Sequence, residues 1–421
     1  MPDKKASPRL NFPKRFLWGA GVSAHQVEGG QHNQWSVWEL ENAKSLAAQA
    51  PYQYSDLDNW DDIKKLAKTP ANYVSGKAVN HKELFASDFD LLRKMHMNAF
   101  RFSLEWSRLE PEEGAWSVAA VEYYKQYFAE LKKRNIEPIV TLFHFTLPVW
   151  FAVKGGFEKR GNIKYFEQFA KRVVDNFGTD FKYVITINEP EAYAFESYYM
   201  AHWPPQQTKR HLAVRVYRNL ATAHNRVARI IHSKNRKYKV SIAKHVSLIY
   251  PGDDAKLSIW SASFMSWWLT DYWVNKVVKN CDFIGVNYYA SQRIYGYRMH
   301  NPNEKLSDLG WDMQPGHIQH VLEFLSEKYK KPIMITENGL ADAGDDERKW
   351  WLQQTILGLQ RAMKNGVDLI GYIHWSLLDN FEWDKGRWPR FGLAAVDYRT
   401  MKRSLRPSAV WFASVIKKIR G

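Results

Sequence analysis

Residues 183–189 read YVITINE, a run of β-branched and aromatic side chains that stops on an amide and a carboxylate. A short, nearly continuous apolar run bounded by polar residues reads as a strand buried on both faces. The same pattern recurs in both directions. Upstream lie FLWGAG from Phe16, NAFRFSL from Asn98 and EPIVTLF from Glu137; downstream lie KVSIAKH from Lys239, FIGVNYY from Phe283, PIMITE from Pro332 and LIGYIHWS from Leu369. Amphipathic stretches separate them, among others at 118–134, 163–177, 211–233, 318–329, 347–365 and 407–418. Eight such strands with helices between them predict an α/β chain whose parallel sheet closes into a single (β/α)8 TIM barrel. That architecture needs only about 250 residues. The 421 present here therefore predict loop insertions on the C-terminal face, the largest at 31–81, where Asn, Asp, Ser and Tyr abound. No repeat, low-complexity tract or linker divides the chain, so residues 1–421 are expected to form one domain.

Composition removes several function classes. With 45% hydrophobic and 25% charged residues, the chain is globular rather than disordered or collagen-like. Its 60 Lys and Arg against 44 Asp and Glu give a net charge of +16. The cations come in small groups, such as Lys132–Arg134 and Lys330–Lys331, mostly where helices are expected to end and where the dipole favours them. No zinc-finger spacing or RNP-like motif accompanies them, so they read as solvated surface and no nucleic-acid partner is expected. One cysteine, Cys281, excludes an internal disulfide and a Cys-ligated zinc site. The N-terminus, MPDKKASPRLNFPKRF, has no apolar signal-peptide core, and the longest nearly apolar run, 139–153, is too short to span a bilayer. The expectation is a soluble, cytoplasmic protein with no membrane partner.

In a barrel of this kind the chemistry gathers at the C-terminal ends of the strands. Gln26 and Glu28 follow the first strand, and Arg101 lies in the second. His144 follows the third, Asn188 and Glu189 the fourth, and His245 the fifth. Asn287 and Tyr289 close the sixth, Glu337 and Asn338 the seventh, and Trp375 the eighth, with Glu382 and Trp383 just beyond. One carboxylate at a strand end is ordinarily a satisfied loop residue. Carboxylates, amides, His, Tyr or Trp at all eight ends describe a polar pocket with aromatic walls. Hydrogen-bonding groups beside Trp faces suit a sugar, whose hydroxyls need paired partners and whose C–H faces stack on rings.

Two glutamates stand out, Glu189 in TINEP and Glu337 in ITENG, on facing sides of a closed barrel. Retaining glycosidases use two carboxyls about 5–5.5 Å apart, one as nucleophile and one as acid and then base. Arg101 beside one of them would hold it ionised while the other stays protonated in a less charged setting. Competing motifs lack their context. Gly19, Gly21 and Ala24 fit a G-x-G-x-x-A fingerprint, but no helix of the required kind follows. His144, His245 and His374 carry no metal-ligand spacing, so no metal or other cofactor is expected. Residues 21–25 fall short of a nucleophile elbow.

These blocks together resemble glycoside hydrolase family 1, the retaining β-glucosidases and β-glycosidases, over nearly the whole chain. FLWGAGVSAHQVEGG is similar to the family's N-terminal signature, and RFSLEWSR, TINEP, GVNYY, ITENG, WSLLDNFEW and RFGLAAVD follow in the family order. The resemblance implies a glycoside hydrolase barrel with Glu189 as acid/base and Glu337 as nucleophile. It implies that Arg101, Asn188 and Tyr289 position the pair, and that Gln26, His144, Asn287, Trp375, Glu382 and Trp383 bind the sugar. It further implies a small-molecule or oligosaccharide β-glycoside as partner. Relatives acting on thioglucosides replace the acid/base with glutamine, and relatives acting on 6-phospho sugars lack the glutamate of the FEW block. Glu189 and Glu382 thus point to unphosphorylated O-glycosides, with glucose, galactose and fucose all open at the 4-hydroxyl.

Two departures mark this chain. The family usually has Trp after the pocket histidine, often followed by Asp, and here the run is His144, Phe145, Thr146. The connection 251–281 is short and rich in Trp (Trp260, Trp267, Trp268, Trp273), which predicts an open aglycone side or an association surface, against plain core packing. Two rival functions share the same pocket: a carbohydrate-binding barrel without chemistry, and a transglycosylase in which a sugar or alcohol replaces water. The first would be betrayed by a lost carboxylate, and both are present.

Overall fold

The computed structural model describes residues 11–302 and 304–421; the first ten residues, on which the signal-peptide expectation partly rests, lie outside them. Eight parallel strands close into a barrel in sequence order: β1 (Leu17–Gly21), β2 (Ala99–Ser103), β3 (Glu137–Phe143), β4 (Tyr183–Asn188), β5 (Lys239–His245), β6 (Ile284–Asn287), β7 (Ile333–Asn338) and β8 (Leu369–Trp375). β8 pairs with β1 through Gly371 and Leu17 and so completes the ring. The helices Val118–Lys133, Ile163–Phe177, Arg210–Lys234, Ile318–Tyr329, Arg348–Lys364 and Pro407–Arg420 wrap it. Each lies within two residues of the expected span.

The barrel is filled, not hollow. Leu17, Ala99, Ile139, Ile185, Ala243, Phe283, Met334 and Ile373 form one buried cluster, with a side chain from each of seven strands and from Phe283 immediately before β6. Cutting an isoleucine of such a cluster to alanine costs about 2–5 kcal/mol. Glycine is required where β1 meets β2, because a side chain at Gly19 would run into the Ala99 carbonyl. Strand packing, rather than a dinucleotide, accounts for the glycine there.

The insertion after β1 is not the loop expected from its polarity. Residues Gln34–Tyr54 form a 21-residue helix, followed by a shorter one at Trp60–Ala67. Asn33 starts the long helix with a reciprocal cap, accepting from the Ser36 amide at 2.9 Å while the Ser36 hydroxyl takes the Asn33 N–H at 3.0 Å. Trp35 and Trp38 anchor it in the core, and its Ala-rich middle has high helix propensity. Among the described residues no helix is long and apolar enough to cross a membrane.

Candidate active site

The C-terminal strand ends converge on a cavity of about 500 Å³. His144, Asn188, Glu189, Tyr289, Glu337, Trp375, Glu382 and Trp383 line it. Gln26, Arg101 and Asn287 sit one layer deeper, fully buried, and reach the cavity through the groups they hold. Each of these expected site residues therefore lies at the cavity or directly behind it. Glu28 and Asn338 do not: Glu28 pairs with Arg108 at 3.0 Å, and the Asn338 side chain bonds Tyr288 and Tyr372 behind the barrel wall.

Local backbone irregularity aims the two glutamates inward. The β4–β5 register breaks between Ile185 and Asn188, and the β7–β6 register breaks between Ile335 and Glu337. Strict alternation would send consecutive side chains to opposite faces; a bulge re-aims them, as is common beside active sites. Glu189 itself has φ +36°, a left-handed conformation that non-glycine residues hold only when their surroundings impose it.

The glutamates have different partners. Arg101 Nη1 is ion-paired with Glu337 Oε1, Nη2 donates to Asn188 Oδ1 at 2.7 Å, Nη1 also donates to the Thr336 carbonyl at 3.0 Å, and Nε donates to Thr141 Oγ1 at 3.2 Å. Tyr289 Oη donates to the other Glu337 oxygen at 2.8 Å. Glu189, by contrast, accepts from the Asn287 amide at 2.7 Å, and no cation among the described residues contacts its carboxyl. Asn287 is fixed in turn by the Thr336 hydroxyl at 2.7 Å.

The electrostatics follow from this asymmetry. Burial, and then the negative charges of Glu337 and Glu191, push Glu189 well above the usual carboxylate range. Burial, with Glu337 and Glu189 nearby, likewise holds the Tyr289 hydroxyl protonated. Burial and Arg101 drive His144 far below its usual value, so its ring is neutral. Burial also lifts Glu382 to about 8, against the opposing pull of Lys385. Gln26 Nε2 donates to Glu382 Oε2 at 3.3 Å and to the Phe381 carbonyl at 2.7 Å, while Ser23 Oγ donates to Gln26 Oε1 at 2.6 Å. Burial lowers His245 to about 4 and His374 to about 3, so both rings are neutral; His245 lines the cavity, whereas His374 packs against Tyr372 and Phe412. No group of three or more metal-ligating side chains occurs among the described residues.

Aromatic walls complete the cavity. The His144 ring stacks on Trp375 at 5.7 Å, and His25 stacks on Trp383 at 5.5 Å with the planes 3° apart. Phe145, where the family usually has Trp, stays in the wall, packed on Trp203 at 4.9 Å and Trp383 at 5.3 Å. The reading of strand ends missed Trp203, and it missed the buried pair Lys244–Glu191 at 2.9 Å. Glu191 also accepts from the His245 amide at 2.8 Å. Only its place two residues after Glu189 could have signalled it. In the Trp-rich connection, Trp273 is packed in the core while Trp260 and Trp267 are exposed, so core packing accounts for Trp273 and not for the other two.

Known proteins share the fold. The chain superposes on a β-glycosidase from Pyrococcus horikoshii with a TM-score of 0.86 and 32% identity, covering 97% of this chain and 96% of that one. It superposes on a β-glucosidase from Thermotoga maritima in complex with glucoimidazole with a TM-score of 0.84 and 26% identity, covering 97% and 99%. In sequence it is 28% identical to a 1,4-β-D-glucan glucohydrolase of Thermotoga neapolitana, over 96% of this chain and 98% of the relative. The profile of glycosyl hydrolase family 1 matches residues 9–283 and 268–420. With the closed eight-stranded barrel and its cavity, that match places the chain in glycosyl hydrolase family 1, as a β-glycosidase.

Proposed function

We propose that the chain hydrolyses terminal, nonreducing β-D-glucosyl residues of unphosphorylated glycosides and short oligosaccharides, with β-galactosyl and β-fucosyl residues also accepted, by double displacement with retention. The observation that carries this reading is the unequal partnering of the two carboxyls. Glu337, paired with Arg101 and Tyr289, is the ionised nucleophile. Glu189, buried without a cation and raised, is the protonated acid. A Glu337 oxygen bonds to the anomeric carbon as the glycosidic C–O bond breaks, and the Glu189 proton goes to the leaving oxygen. Water then attacks the same carbon from the vacated side. Its proton passes to Glu189, Glu337 departs, and the configuration is retained. Glu382 and Gln26 suit paired sugar hydroxyls, and Trp375 and Trp383 a ring face. The glucose preference is supported by the T. neapolitana relative's activity and by the glucoimidazole held by the T. maritima structure.

The test is nitrophenol release from β-glucoside, β-galactoside, β-fucoside and β-mannoside, with Glu337→Gln alongside. Release strongest from the glucoside and absent in the variant is expected. A folded protein inert on all four would instead be a carbohydrate-binding barrel.

A further inference from the structure

The helix Lys256–Ser266, in the Trp-rich connection after β5, has its polarity inverted. Ser258, Ser261 and Ala262 face the protein and are buried, while Leu257, Ile259, Trp260 and Phe264 face solvent. Trp260 is 62% exposed and Phe264 48%. The rings are contiguous: Trp260 stacks on Phe264 at 5.6 Å, Phe264 meets Trp267 at 5.9 Å, and Trp268 stacks on Tyr272 at 4.8 Å. A surface helix ordinarily turns its apolar stripe inward. Large apolar side chains gathered on the outside mark a contact surface.

The surroundings choose the partner. The neighbouring helix Arg210–Lys234 carries six Lys and Arg and not one Asp or Glu. Arg215, Arg218 and Arg229 lie on its exposed stripe, and Arg218 Nε donates to the Tyr272 hydroxyl at 2.7 Å. Lys276 lies 4.5 Å over the same ring. On the other flank the Gly296 amide donates to Ser258 Oγ at 2.8 Å, which sets the turn bearing Tyr297 (77% exposed), Arg298 and Met299 beside the helix. Asp253 and Asp254 stand only at the helix's N-terminal edge, and the Asp271 carboxylate is neutralised by Lys328 at 2.6 Å. An aromatic stripe with cations on both flanks matches the interface of an anionic lipid bilayer, where Trp rings settle at headgroup depth and Lys and Arg meet phosphates.

We propose that Lys256–Ser266 and the π-helical segment Trp267–Asp271 that continues it dock the protein peripherally on anionic lipid bilayers. This departs from the expectation of no membrane partner, and it does not rest on the assignment of the catalytic glutamates. The sheet under the helix, strands Ile249–Pro251 and Gln292–Tyr295, also carries Gln292 of the cavity lining, so docking sets the cavity rim close to the lipid.

The experiment is sedimentation of the full chain with vesicles of phosphatidylcholine containing about 30 mol% phosphatidylglycerol, and with phosphatidylcholine alone. Binding to the anionic vesicles is expected at low salt, with a drop of about tenfold or more at roughly 0.5 M salt. Trp260→Ser/Phe264→Ser/Trp267→Ser is expected to cut binding by about tenfold or more, with hydrolysis of a soluble nitrophenyl glycoside unchanged as proof of folding. Arg215→Ser/Arg229→Ser, which leaves the rings in place, is expected to weaken binding only to anionic vesicles. Absent binding, or binding indifferent to the triple substitution, overturns the proposal. So does a dimer in light scattering that the triple substitution splits while vesicles stay unbound; the surface then belongs to a second copy of the chain.

Discussion

Arg101 holds Glu337 and Asn188 with different nitrogens of one guanidinium, Nη1 on the carboxylate and Nη2 on the amide oxygen at 2.7 Å. A single side chain from β2 thereby fixes groups at the ends of β4 and β7. Lysine presents one point charge and no planar fork. Arg101→Lys is expected to retain the fold and lower kcat/KM on nitrophenyl glucoside by about 10²–10³-fold, the range seen when one preorganised electrostatic donor is removed. Arg101→Met leaves Glu337 buried without its cation, which costs about 3–5 kcal/mol and is read as a lower urea midpoint.

In the proposed double displacement Glu189, as a raised acid, must carry its proton for the first step. The alkaline limb of kcat/KM is therefore expected well above the usual carboxylate range, with substantial activity retained at neutral pH. Glu189→Ala should remove that limb. It should also slow alkyl glycosides, which need a proton on the leaving oxygen, far more than nitrophenyl glycosides. Equal losses on both classes would contradict the assignment.

Glu191 adds a negative charge that lifts Glu189, while Lys244 pulls the other way. Glu191→Gln removes the lift and frees Lys244, and both changes favour the ionised form of Glu189. The alkaline limb is expected to move to lower pH, with KM nearly unchanged. A limb that stays put while activity falls would mark Glu191 as structural support only.

Glu382 titrates near 8 when folded and near 4.3 when unfolded. A carboxyl raised on folding contributes no penalty below about pH 4. Stability is then lost as pH climbs toward 8, by on the order of a few kcal/mol in all. Glu382→Gln is expected to raise Tm at pH 8 and to leave it nearly unchanged near pH 4, with sugar binding weakened. Thermal melts across pH, with titration of methyl β-glucoside into Glu337→Gln and the double variant, check both halves.

The barrel was legible because each strand is a short, mostly apolar run, and the polar residues at the eight strand ends located the cavity. Four things were not legible. The insertion 31–81 looked like loop because polar residues dominate it, although Trp35 and Trp38 tie it down as helix. The register breaks that turn Glu189 and Glu337 inward leave no mark in composition. The Lys244–Glu191 pair reads like any two surface charges until the fold buries both. Trp260 and Trp273 look alike in sequence, and only the helix phase sends one to solvent and the other to the core.

The buried cluster that fills the barrel interior has a kinetic consequence. It closes the bottom of the chamber, so substrate, water and product pass through its C-terminal side. On the proposed double displacement the aglycone leaves first, water follows through the space it vacates, and the freed sugar exits last. Free sugar lingering in that chamber is expected to compete with incoming substrate, so that turnover slows as the reaction's own product accumulates.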